Sequence, residues 1–500
     1  MQLFLKNTLL SFAVYATCVG TGFGQSSTEG RIEIDIKDGY ENESCHPIGT
    51  NGMVIFAKSK KSEDGQYEYK YDFYGTDLKL QETKSEMVDK KLYSTHTIIN
   101  EDGILEFFRG KKNTFTIIYA DKGSKSFERV EGVFPKKFKF ESIIKSEKSL
   151  LIVGRIKKEY KLLILDYKTG EYETTDIRLP DNESLKFEIL NFGLMEDKKE
   201  FFISLKLRID RKHSESYMLV YFDKGELKDA VNVNTNEQVN LVSLVADHIG
   251  EDIYALTGTY SNNNYGTSIG IFFGKINKGK LEYLNTHLYT SFSNFFNYLP
   301  ERQQAKIERK KEKAEAKGKE LLYPYLMATH NILTLNEDYI YVGEAYYPTY
   351  RSEVTYNSKG QAQYRQVFDG YQYTHATIVC FDKQGNKKWD QIFELNPGYK
   401  PFYQKKFIRT IPGKNTNTVD LVYASYNKIV SKSINSDGNI VRDASSIPIE
   451  TLNEDDKVKS STSEVSYWYE NYFLSYGTQK IKNMADRNTR RVFYFNKIKY

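Results

Sequence analysis

Cysteine, proline and tryptophan are scarce: 3, 10 and 2 residues among 500. Three cysteines cannot build a disulfide framework, so buried apolar surface must hold the core. Cys18 falls in an N-terminal segment expected to be removed, and Cys45 and Cys380 read as unpaired thiols, Cys380 buried in a strand. So little proline fits a large, strand-rich protein. Charge of one sign is also lacking. The net is +5 over the chain and +4 without residues 1–24, which hold Lys6 and no acid. A balance that small argues against a nucleic-acid partner. The seven histidines (His46, His96, His213, His248, His287, His330 and His375) show neither His-x-His nor His-Glu-x-x-His spacing, so no metal site is expected. Serine-nucleophile elbow, phosphate-cradling glycine loop and paired-cysteine zinc motif are absent, and no residue is assigned a catalytic role. Carboxylate pairs assembled only in space, as glycosidases use, do not show in linear order.

After the first 20 residues no apolar run reaches the ~20 residues of a spanning helix, so no integral membrane segment is expected after processing. The run "TLLSFAVYATCVG" (8–20) behind Lys6 has the length of a signal peptide, with small residues before an expected cut between Gly24 and Gln25. Thr17 before Cys18 fits a lipidation motif poorly. The mature chain is therefore expected to be exported: periplasmic, on the cell surface or secreted. Export sets no oligomeric state.

What is abundant is aromatic: 40 tyrosines and 30 phenylalanines, which favour strands with half-buried faces. "VCFDKQGNKKWDQIF" (379–393) reads as two strands joined at Gly385, and the pattern recurs. Its turn glycines are Gly75, Gly123, Gly170, Gly225, Gly279, Gly385 and Gly438, spaced by 48, 47, 55, 54, 106 and 53. Each is expected at positive φ, which glycine adopts at little cost. Two further short strands precede most of these hairpins, often around an acidic turn such as "GED" at 250–252 or "NED" at 336–338.

Four strands per ~50 residues is the signature of a β-propeller blade. The 106-residue gap reads as one blade carrying two insertions, near 291–325 and 346–373. At the ends, "RRVFYFNKIKY" (490–500) lacks a fourth strand and "RIEIDI" (31–36) lacks partners. Pairing them closes the ring and hides two bare sheet edges. The expectation is an all-β propeller of eight four-stranded antiparallel blades over residues 25–500, or seven if the first repeat is irregular.

"DYKTG" (166–170) resembles the turn of pyrroloquinoline-quinone-type propellers, Asp-x-x-Thr-Gly with a tryptophan four residues beyond the glycine. Thr174 stands at the tryptophan place; at the other hairpin Trp389 is present, but Asp382 lies one residue closer to Gly385. The resemblance covers a few hairpins and implies the fold; with the motif incomplete at both places, no cofactor is expected. The whole chain resembles uncharacterised exported propellers of Bacteroidetes, and that resemblance implies no activity.

Two insertions and one histidine pair are candidates for function. Residues 300–324 read as a helix up to about Gly318, packed to the ring through "SFSNFFNYL" (291–299). Between Glu301 and Glu320 it holds eight basic and five acidic residues, either a partner-binding arm or, more simply, a tolerated surface insertion. The hairpin 346–373, turning at Gly360, offers Tyr346, Tyr347, Tyr350, Tyr364, Tyr371 and Tyr373 as ligand-binding residues. Its simpler reading is cross-strand aromatic pairing. His96 and His330 share a Thr-His start and would either converge on the central channel or merely repeat a strand opening. Together these favour a non-enzymatic exported propeller binding a protein or glycan through its loop face and aromatic hairpin. The rivals are a glycan-cleaving or quinoprotein-like enzyme with its site at the channel mouth, and an envelope scaffold interacting through the charged helix. An enzyme predicts an acidic or histidine cluster at that mouth; a binding module predicts an aromatic patch on the hairpin.

Overall fold

Within each repeat the second and third strands are apolar on both faces, and the last strand alternates. In residues 138–176, Leu150, Leu151, Ile152, Val153, Leu162 and Leu163 are buried, while the outer strand Tyr172–Asp176 is half-buried or exposed throughout. A strand covered on both faces must lie between two sheets. The chain's computed structural model shows that stacking directly, and it describes residues 27–36, 39–100, 103–121, 127–179, 186–195, 199–210, 212–234, 239–263, 266–410 and 417–500. The expected signal segment 1–24 and the turn glycine Gly123 lie outside the described residues.

Eight antiparallel sheets follow one another along the chain. Blades 1 to 8 run over 40–89, 93–133, 138–176, 187–232, 240–288, 326–394, 409–448 and 456–499, and Ser27–Asp35 completes the eighth. First strands of successive blades touch, Tyr93–Asn100 with Phe138–Lys145, that with Phe187–Leu194, and Asp456–Tyr469 with Tyr40–Pro47. These strands therefore line the axis. The fold is an eight-bladed β-propeller, as its repeat period implied.

The core lies between blades. Leu105, Phe107, Phe115 and Ile117 of blade 2 pack with Leu150, Ile152 and Leu163 of blade 3, each buried side chain contributing roughly 1.5–3 kcal/mol. Polar stitches run beside it: the Lys228 ammonium in blade 4 donates to Glu200 Oε1 (2.7 Å) and to the Tyr254 hydroxyl of blade 5 (3.0 Å). Cys45 and Cys380 are free and buried, as expected.

The turn glycines explain why the period is visible. Gly170, Gly225, Gly279, Gly385 and Gly438 have φ between +71° and +84°. Each turn also rests on the preceding blade. Trp389 Nε1 donates to the Ser436 carbonyl (2.8 Å) and Gln391 Nε2 to that of Gly438 (2.9 Å). The Tyr283 hydroxyl likewise donates to the Lys383 carbonyl (2.6 Å). Gly75 is a correction: its φ is not positive, and Leu78 takes the left-handed conformation (+62°) in a longer turn closed by Gly75 N–H to Lys79 O.

A Cβ at Gly438 would stand 2.5 Å from Trp389 Cγ, whereas nothing lies within 4 Å of one at Gly360 (φ +75°). Gly438→Ala should therefore cost about 2–3 kcal/mol, backbone strain plus displacement of the indole, and Gly360→Ala only about 1 kcal/mol. Urea unfolding of both variants checks the difference; equal losses would mean the turn does not bear on its neighbour.

The ring closes through its ends. Arg31 to Asp35 pair antiparallel with Asn496 to Val492, and Ile32 and Ile34 pack on Trp468, Leu474, Phe493 and Phe495. One insertion, 289–325, lies between blades 5 and 6, and the other is the long hairpin of blade 6. Helix α1, Glu301–Glu315, buries Ile307 alone, and Gly318 ends it at φ +64°. Phe292 and Phe295 are buried in a cluster shared by blades 5 and 6, and Tyr298 stacks on buried His375 with ring centroids 4.0 Å apart. Burial drops the His375 pKa to about 3, so this imidazole is neutral. No helix among the described residues is long and apolar enough to cross a membrane.

Candidate functional site

The long hairpin is two strands, Asp338–Tyr356 and Ala362–Phe381, whose lower halves belong to blade 6 and whose upper halves stand clear of it. Below, Ile340, Val342, Ile378 and Cys380 are fully buried. Above, alternation separates two faces. Tyr350, Val354 and Tyr356 pair with Phe368, Tyr364 and Ala362; Arg351, Glu353 and Thr355 pair with Val367, Arg365 and Gln363. Period 2 puts the first set on one side of the ribbon and the second on the other. On the charged side Arg351 donates to Glu353 Oε1 from Nε (3.1 Å) and Nη2 (2.7 Å). The aromatic side is open: Tyr350, Tyr356 and Tyr364 are 60%, 73% and 77% exposed. At the tip, Asn357 Oδ1 accepts from the Lys359 and Gln361 N–H groups (2.9 and 3.0 Å).

The ribbon is held by the segment 395–408, which connects blades 6 and 7. Tyr371 N–H donates to the Pro401 carbonyl (2.8 Å) and Lys400 Nζ to Asp369 Oδ2 (3.0 Å). Rings continue the contact, Tyr350 to Phe368 at 6.0 Å and Phe368 to Phe402 at 5.9 Å. The end of the segment is pinned by Glu344, a fully buried carboxylate whose Oε1 accepts from Phe407 N–H, Ile408 N–H and His330 Nε2 at 2.9, 2.8 and 2.7 Å.

The six candidate tyrosines divide. Tyr347, Tyr350 and Tyr364 are exposed, and Tyr350 and Tyr364 share the aromatic face. Tyr346 and Tyr371 are half-buried in a cluster with Tyr373. Tyr373 is 2% exposed, its hydroxyl donating to the Lys405 carbonyl and accepting from the Lys405 N–H, so it supports the segment rather than meeting a ligand. Sequence reasoning missed Val354, Tyr356, Phe402 and Tyr403. The first two were readable from the alternation; "KPFY" at 400–403 carries no periodic signal. His96 and His330 do not converge: His96 packs on Phe140 of blade 3, and His330 faces Glu344 within blade 6.

Beneath the same segment a cleft of about 510 Å³ opens between the first strands of blades 8 and 1. Lys405 Nζ reaches across it to Glu464 Oε1 (2.5 Å) and to the Tyr399 hydroxyl (2.9 Å). Burial pulls that ammonium's pKa down, but the carboxylate and phenol outweigh it and the net shift is upward. Ser44 Oγ and His46 Nε2 lie 2.8 Å apart, and burial holds the His46 pKa down to about 4. Among the described residues the carboxylate lining the cleft is Glu464. Among the described residues no three or more His, Cys, Asp or Glu side chains gather as metal ligands would.

No family model matches the sequence, and no curated protein matches it. Solved structures do. The chain is similar to the WD40 domain of SCAP from fission yeast at 7% identity, covering 94% of this chain and 97% of that one, with a TM-score of 0.39. The β-propeller domain of the Trilobed protease from Pyrococcus furiosus is 9% identical over 83% of this chain and all of its own, TM-score 0.36. A prolyl endopeptidase is 10% identical over 88% of this chain, TM-score 0.40, and the chain spans about half of its length (53%). At these scores the likeness carries no argument about ligand or activity.

Proposed function

We propose that the chain is an exported, non-enzymatic propeller that holds a protein partner against the aromatic face of its long hairpin. One observation carries this reading. One side of the ribbon carries Tyr350, Val354, Tyr356 and Tyr364 around the bonded Ser352–Gln366 pair, with Tyr350 reaching Phe402 through Phe368, and the other side carries the Arg351–Glu353 pair. Such a patch, rimmed by polar residues and presented by rings with two rotatable bonds each, suits a protein interface. Export is supported by the apolar N-terminal run alone.

Tyr350→Ser, Tyr356→Ser and Tyr364→Ser combined should weaken partner binding by at least 100-fold, since central tyrosines commonly contribute about 2 kcal/mol each. The melting temperature should stay put, because all three rings are mostly exposed. The measurement is capture from an envelope extract by wild type and triple variant, followed by titration of the captured protein. An identical set retained by both refutes the reading. A glycan-array signal lost on the same substitutions would make the partner a sugar.

A further inference from the structure

The cleft between blades 8 and 1 is separate from the hairpin face, though segment 395–408 borders both, and its chemistry is specific. Three properties decide what it fits. First, it is close to neutral. Lys405 and Glu464 compensate each other at 2.5 Å, and His46 is uncharged near pH 7 because burial holds its pKa at about 4. An anion drawn to Lys405 would meet the Glu464 carboxylate beside it, and a cation drawn to Glu464 would meet the Lys405 ammonium, so ions of either sign are disfavoured.

Second, it keeps unspent hydrogen-bonding capacity. Among the described residues Glu464 Oε2 meets the Tyr476 hydroxyl at 3.5 Å and no other donor, and the Glu464 side chain is 38% exposed. The Tyr476 hydroxyl is no better placed toward Ser466 Oγ, also at 3.5 Å. An acceptor and a donor thus stand side by side with no good bond between them. Thr462 and Thr478 add hydroxyls that bond each other at 2.8 Å; Thr462 Oγ1 also accepts from the Thr478 N–H (3.2 Å), and the Thr478 hydroxyl can take a second partner.

Third, one wall is aromatic and free. Tyr403, in the lining, is 68% exposed, and Tyr399 beside it is 36% exposed. A flat ring beside paired hydroxyl and carboxylate groups suits a molecule with one apolar C–H face and a hydroxylated edge.

We propose that this cleft binds one neutral hydroxylated ring, a sugar unit, with Glu464 and Tyr476 bonding its hydroxyls and Tyr403 covering its C–H face. The volume, about 510 Å³, admits one or two such rings. The unit is either a free sugar or the end of a glycan chain; the chemistry is the same.

The test uses the full mature chain and saturation-transfer NMR with titration of glucose, galactose, mannose, N-acetylglucosamine, maltose and cellobiose. Glucuronate and inorganic phosphate serve as charged counterparts. At least one neutral sugar should bind, and glucuronate and phosphate should bind at least tenfold more weakly. Extended oligomers of the sugar that binds separate the two sources: a gain with length marks a glycan end, and equal affinity marks a free sugar. Glu464→Gln and Tyr403→Ala should each weaken binding at least tenfold; Tyr403 is exposed enough that its variant folds. The triple hairpin variant should bind the sugar as wild type does, which separates this site from the protein-binding face. Silence from every neutral sugar, tighter binding of the charged probes, or full binding by both cleft variants overturns the proposal.

Discussion

Arg490→Ala should loosen the ring where the chain's two ends meet, costing about 2–3 kcal/mol. Arg490 bonds Asp456 through both ends of its fork, Nη1 to Oδ1 (3.0 Å) and Nη2 to Oδ2 (2.6 Å), and Nη2 also reaches Glu33 Oε2 (2.8 Å). Asp456 opens the innermost strand of blade 8 and Glu33 sits on its outermost, so one side chain clamps the sheet from edge to edge. The side chains of Asp456 and Glu33 are 0% and 6% exposed. Removing the partner of a buried charge commonly costs about 3–5 kcal/mol, and the value is lowered here because Arg490 itself is 32% exposed. Arg31 would still hold Glu33 at 2.9 Å and Gln479 at 2.6 Å, so the ring should loosen rather than open. Hydrogen exchange is the specific readout, with amides of 27–35 losing protection before those of blades 3 to 5. Arg490, then Asn483, holds the Asp456 pKa below its ordinary value against burial. A carboxylate with a lowered folded pKa stabilises above its unfolded pKa, ~3.9, and that stability fades as pH falls through the folded value. The gap between wild type and variant should thus narrow in acid below about pH 4. A constant gap, or uniform exchange around the ring, would count against the clamp.

The ring was legible because two separate physical demands fall on the same residues. In blades 3 to 7 the last turn holds a glycine at positive φ, and the same turn sits close against the blade before it, so glycine recurs at the period of the fold. Gly75 shows the limit. Its turn is longer and places Leu78 in the left-handed region instead, and the glycine matched the spacing without serving the role. The closure was legible for a similar reason, as two alternating strands without partners leave edges that a soluble sheet must cover.

The site was only half legible. Alternation marked the hairpin, but its register shifts between Ala345 and Tyr346 and again between Pro348 and Tyr350. Each shift offsets one strand's alternation against the other's, so tyrosines that look equivalent in the sequence end up in the support, at the edge or in the open. The segment 395–408 has no period at all, yet it supplies Phe402 to the hairpin and Tyr403 and Lys405 to the cleft. The cleft was invisible for a simpler reason. Ser44, Lys405 and Glu464 belong to three stretches of chain that only ring closure brings together.

That dependence on one connecting segment gives the second large effect. Glu344→Ala should cost about 3–5 kcal/mol and disable both surfaces together. The carboxylate is 0% exposed and satisfies the N–H groups of Phe407 and Ile408 along with His330 Nε2. Without it two backbone donors are left buried and unpaired at the entry to blade 7, each costing roughly 1–3 kcal/mol. Glu344→Gln should fall between, since its amide keeps one acceptor and turns a donor toward the rest. Unfolding in urea gives the energies. The sharper measurement is exchange and binding in the folded state. Amides of 399–408 should lose protection, hairpin partner and cleft sugar should both bind less well, and the exposed-tyrosine and cleft variants should each affect only one of the two. If Glu344→Ala destabilised the chain but left segment 399–408 as protected as in wild type, the carboxylate would be stabilising blade 6 alone. The segment would then have to be held in place by the Tyr373 hydroxyl and the Lys400–Asp369 pair.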